Sequence, residues 1–93
     1  MDMTEQIRSR LQPLAPLSLD IADESSKHIG HEGAKSGGHF HVVIVSQQFD
    51  GKATQLRHRM VYAALGDLMQ NGIHALSINA QTPDERPVTA PPR

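Results

Sequence analysis

Imidazole is the chemistry this chain offers most freely. Six histidines stand among 93 residues that include no cysteine and, as aromatics, only Phe40, Phe49 and Tyr62. His28, His31, His39 and His41 gather around the glycine-rich stretch Gly30 to Gly38, and His74 opens the last apolar run. Imidazole is the commonest protein metal ligand and titrates near neutral pH. A chain with imidazoles and no cysteine can supply nitrogen but no thiolate sulfur. At a soft metal or an iron–sulfur centre, the sulfur must come from another molecule.

Each histidine also has a plainer reading. His28 and His31, three apart, read equally as solvated loop side chains. His74 shares strand parity with Leu76 and Ile78, which reads as a histidine at the rim of the core. His39 and His41 lie two apart on one strand face, a spacing that can chelate Zn²⁺, Ni²⁺ or Cu²⁺ adventitiously. The plainer account makes one of them structural and the other exposed.

Other chemistries are thinner. Arg57, His58 and Arg59, with Lys52 near the helix start, form a small basic patch suited to phosphate, although a solvated helix face explains the same residues. Ser25, Ser26 and Ser46 have histidines nearby in sequence, but no nucleophile, base and orienting acid are set up together. Asp23 and Glu24 are adjacent, so on a strand they face opposite ways and make no carboxylate pair. The glycines of 30–38 lack the lysine and the strand-to-helix context of a phosphate-binding loop.

These residues need a scaffold. Met3, Ile7 and Leu11 recur every four residues, marking one helix face. Asp2 is placed to cap that helix with Glu5 three residues on, and Pro13 and Pro16 stop it. Leu17, Leu19 and Ile21 alternate with small or polar residues as in a half-buried strand. The segment Asp23 to Gly38 has little to bury and reads as a long loop. In the run Phe40 to Val45, the strongest strand, Phe40, Val42 and Ile44 share one face, and His39, His41, Val43 and Val45 the other. Phe49-Asp50-Gly51 is a turn. A helix is predicted from Thr54, as cap, to about Gln70, with Leu56, Met60, Ala63, Ala64 and Leu68 on its buried side and Asn71-Gly72 ending it. His74 to Ala80 is a third strand. The order helix, strand, strand, helix, strand predicts an α+β fold, a small three-stranded mixed sheet with helices on one face. The last strand follows a helical crossover, so it is expected to pair in parallel with one of the first two.

Bulk properties narrow the function. The chain is short enough for one domain, taken as residues 1–84, with 85–93 as a disordered proline-rich tail. Its net charge of −1 argues against coating nucleic acid by bulk attraction. Without cysteine there is no disulfide framework. No run approaches membrane-spanning length and no signal-peptide core is present, so a cytoplasmic protein without a membrane partner is expected.

Several strings coincide in order: Asp23-Glu24-Ser25 followed by His28; Gly38-His39-Phe40; Ile44-Val45-Ser46; Phe49-Asp50-Gly51; Arg57-His58-Arg59-Met60-Val61-Tyr62; and Ile73-His74-Ala75-Leu76-Ser77-Ile78. Together, over about residues 3 to 83, they closely resemble the BolA-like protein family. The resemblance implies a fold like the class II KH domain and partnership with a monothiol glutaredoxin. It implies a non-enzymatic adaptor in iron–sulfur trafficking and iron homeostasis, sharing a [2Fe–2S] cluster with the glutaredoxin and glutathione, with none tightly bound to this chain alone. The family's ligand positions match His74 and His28; His31 is the main alternative in the loop and His39 a weaker one. The second reading it implies is a DNA-binding transcriptional regulator using Lys52, Arg57 and Arg59 on a KH-like basic helix. The KH module grips nucleic acid with a GXXG loop, and Gly51-Lys52-Ala53-Thr54 keeps only its first glycine. DNA and a homodimer stay open as partners.

Overall fold

The structure, a computed structural model, describes residues 2–24 and 38–85. Helix α1 spans Met3–Leu11. The Asp2 carboxylate accepts the Glu5 backbone N–H at 3.0 Å, satisfying one of the amides a helix leaves open at its start. Glu5 in the first turn and Arg8 and Arg10 in the last complement the helix dipole. The predicted stripe is the buried one: Ile7 and Leu11 are fully enclosed, and Met3 packs against the same core. A short 3₁₀ turn, Gln12–Leu14, follows. Ala15 then takes a left-handed backbone (φ 52°) before Pro16, a reversal that its residue type does not announce.

Three strands follow: β1 (Ser18–Asp23), β2 (Gly38–Val45) and β3 (Ile73–Gln81). The sheet order is β1-β2-β3. β1 lies antiparallel to β2, with Leu19 opposite Ile44 and Ile21 opposite Val42. β3 runs parallel to β2, with Phe40 opposite Leu76 and Val42 opposite Ile78. The predicted alternation in β2 holds through Ile44, for Phe40, Val42 and Ile44 are buried against α1 and the second helix while His39, His41 and Val43 stay half-exposed; Val45, expected with the outer face, is buried as well. Leu17 departs from the expected strand. It precedes β1 and is 63% exposed, because the sheet's last pair is Ser18 with Val45.

Helix α2 covers Thr54–Leu65, and two expectations about it need correction. Its N-cap is Ala53, in extended backbone without a side-chain cap, and Thr54 is already helical. It ends at Leu65, well short of Gln70, because Gly66 adopts φ 56° and ψ −128°, a region open essentially only to glycine. A 3₁₀ turn, Gly66–Met69, carries Leu68 into the core instead. The inward face is also rotated. Leu56 and Ala63 are exposed, whereas Arg57, Val61 and Leu65 point in. Counting apolar residues alone hid this, because the buried stripe begins with an arginine. Phe49, read as part of a turn, is fully buried in the core. Ser46 is equally buried; its hydroxyl donates to the Leu14 carbonyl at 2.6 Å and accepts the Gln48 N–H at 3.0 Å. Among the described residues no helix is long and apolar enough to cross a membrane.

Candidate functional site

The histidine end of the sheet is set by a register break. Gly38 lies opposite Ile73, but His39 lies opposite Ala75. His74 is the extra residue between them and has no partner on β2. Bulges of this kind re-aim a side chain and often adjoin functional sites. The parity reading put His74 with the core-facing Leu76 and Ile78. The bulge inverts that: Ile73 is buried and His74 is exposed. Its ring stacks on His39, with ring centroids 5.2 Å apart and planes inclined by 28°. His39 alternates with Phe40, so the pair lies on the sheet face opposite the helices. The His39 strand segment is held on both sides, its carbonyl accepting the Glu24 N–H at 2.8 Å, while the Gly38 N–H donates to the Gly72 carbonyl at 3.1 Å. His41 shares this face two residues further along, opposite Ser77.

The donor set lacks a thiolate. The chain has no cysteine, and among the described residues no three His, Asp or Glu side chains are gathered to hold a metal. The exposed His74 imidazole can lend a nitrogen to a metal, and a centre that needs thiolate would have to draw it from another molecule. His28 and His31 lie outside the described residues.

The three basic candidates fall at the other end. β2 and β3 are parallel, so the chain leaves both near Ser46 and Thr82, about eight residues, or roughly 25 Å, from the histidine pair. There Arg57 is 9% exposed. Its Nη1 and Nη2 donate to Glu85 Oε1 and Oε2 at 2.5 and 3.0 Å, its Nε to the Lys52 carbonyl at 2.7 Å, and Nη1 also to the Ala80 carbonyl at 3.1 Å. Glu85 accepts the Thr82 N–H as well. The Arg57 hydrogen bond, then the one from Thr82, pulls the Glu85 carboxyl down to about 2. The bond to Glu85 in turn raises the Arg57 guanidinium. Arg57 thus locks the end of β3 to the start of α2 and is not on an open face, and Glu85, assigned to the tail by sequence, is its partner. Lys52 is half-exposed and Arg59 exposed. Nearby, a depression of about 360 Å³ is lined by Gln47, Asp50, Thr82, Pro83 and Asp84; its carboxylates disfavour phosphate there. No sequence signal marked the bulge or the Arg57–Glu85 pair, since both depend on residues brought together from distant segments.

The sequence profile of the family described as BolA-like protein matches residues 11–85. The chain is 44% identical over 87 residues to Protein BOLA1, chloroplastic, of Arabidopsis thaliana, covering 88% of this chain and 54% of that protein. It is 36% identical over 83 residues to the DNA-binding transcriptional regulator BolA of Escherichia coli (strain K12), covering 88% of this chain and 77% of that one. The solved structure of BolA1 from Arabidopsis thaliana superposes with a TM-score of 0.80 at 40% identity, covering 94% of this chain and 99% of that one. The chain spans between 24% and 56% of the length of the first curated relatives it matches.

Proposed function

This chain belongs to the BolA-like protein family, and from that premise we propose that it is a non-enzymatic adaptor. It pairs with a monothiol glutaredoxin in the cytoplasm and lends histidine nitrogen to a [2Fe–2S] cluster carried between them, as cargo in iron–sulfur trafficking. The observation that carries this reading is His74: an exposed imidazole on a β-bulge, facing outward, in a chain with no cysteine of its own. The loop nitrogen is His28, with His31 as its competitor. The glutaredoxin cysteine and glutathione supply sulfur. Exchanging thiolate for imidazole removes negative charge and raises the cluster's reduction potential.

The test is reconstitution of this chain with a monothiol glutaredoxin, iron, sulfide and glutathione, reading iron per heterodimer and the visible spectrum. His74→Ala is expected to give a colourless mixture while the circular dichroism of the chain alone is unchanged. A His74→Ala pair as coloured as the native pair overturns the reading.

A second reading, DNA binding, is favoured by the printed name of the Escherichia coli relative and by the exposure of Arg59. It predicts salt-sensitive retention of duplex DNA, lost on reversing Lys52 and Arg59. Retention that ignores both salt and those charges removes it.

A further inference from the structure

We propose that His39 is the positioning residue for His74, holding that imidazole in the one orientation in which its edge nitrogen faces an incoming metal. The inference rests on the adaptor reading for its consequence, but its structural half stands without it.

His74 has little else to hold it. It is exposed, and the bulge leaves it without a cross-strand partner on β2. An exposed side chain of this kind is free to exchange among staggered rotamers. His39 is its opposite. It sits on the central strand, paired on both sides and half-buried, so its ring is a fixed wall. The stack at 5.2 Å and 28° puts the His74 ring against that wall. A ring nitrogen binds a metal in the plane of its own ring. Stacked rings meet through their faces, so the contact orders His74 without aiming both nitrogens at one ion. The edge of His74 is left open toward solvent.

Residues that orient a metal-ligating histidine typically change metal affinity about 10–100-fold when removed. Two substitutions separate positioning from ligation. His39→Phe keeps a flat ring and removes the nitrogens; His39→Ala removes both. In the chain alone, by NMR, the χ1 couplings of His74 are expected to average in His39→Ala and to keep one rotamer in His39→Phe. Unchanged couplings in His39→Ala overturn the proposal. In the pair reconstituted with a monothiol glutaredoxin, His39→Ala is expected to lose its cluster about 10–100-fold faster than the native pair, and His39→Phe at close to the native rate. If His39→Phe discharges as fast as His39→Ala, His39 is a ligand and positioning falls. If His74→Ala leaves colour untouched, the adaptor reading fails by itself, and the rotamer measurement still decides what His39 does to His74.

Discussion

Arg57 shows how far a residue's role can lie from its type. In sequence it is one cation of a basic trio; in the fold it satisfies two backbone carbonyls and both oxygens of Glu85. Arg57→Ala is expected to cost on the order of 2 kcal/mol in chemical denaturation, through the loss of charge-assisted hydrogen bonds at a nearly buried position. Arg57→Lys should not rescue it, because a single ammonium lacks the planar fork that reaches all four acceptor atoms at once. The pair also sets an acid dependence. The Glu85 carboxyl is held near 2, below its ordinary 4.5, so the ion pair stabilises the fold fully above about 4.5. That contribution is lost as pH falls through about 2. Melting curves of the native chain and Glu85→Gln should therefore differ at neutral pH and converge across that window. A constant gap down to pH 2 would show that Glu85 is not the titrating partner.

At the scale of elements, two glycines decide where the sequence stops one segment and aims the next. Gly66 ends α2 in a conformation closed to other residues. Gly66→Ala should cost about 1–3 kcal/mol, roughly 4–8 °C of Tm per kcal/mol in a domain this size. Gly72, at φ 143°, is pressed by the Met3 side chain: an added Cβ would run into its Cε. Gly72→Ala should carry backbone strain of the same kind, and the end of the Met3 side chain must also swing aside. Pairing it with Met3→Ala should recover the clash and leave the strain; full recovery would mean that the backbone at Gly72 is not strained. Because Gly72 leads directly into Ile73 and the bulge, the same substitution should broaden the His74 ring signals. Helix α1 and strand β2 were legible in the sequence because burial there follows simple periods of 3.6 and 2. The end of α2 and the place of His74 at the start of β3 were not, since a single glycine and a single unpaired residue reset those periods; from Leu76 on, the expected face of Leu76, Ile78 and Ala80 is the one packed on the core.

At the scale of the whole molecule, the parallel pairing of β2 and β3 sorts the candidate chemistry to opposite ends. The histidine pair stands where both strands begin; Lys52 and the Arg57 lock stand where they finish. The two proposed activities therefore need not compete for surface. Lys52→Glu combined with Arg59→Glu should abolish any DNA retention and leave the coloured glutaredoxin complex intact. His74→Ala should do the reverse. If one variant removes both activities, the two share a surface and the separation by strand length is wrong.

Residue chemistry and local periodicity were enough to determine the kinds of donor available, the layer of helices over a three-stranded sheet, the inward face of β2 and the kinship of the chain. These follow from side-chain type and from spacing along one segment. Only the tertiary structure decided that His74 turns outward onto His39, that Arg57 turns inward onto Glu85, and that the two ends are separate. Each of those outcomes depends on which distant segments meet and in what register, and a shift of one residue there reverses the face every neighbour presents.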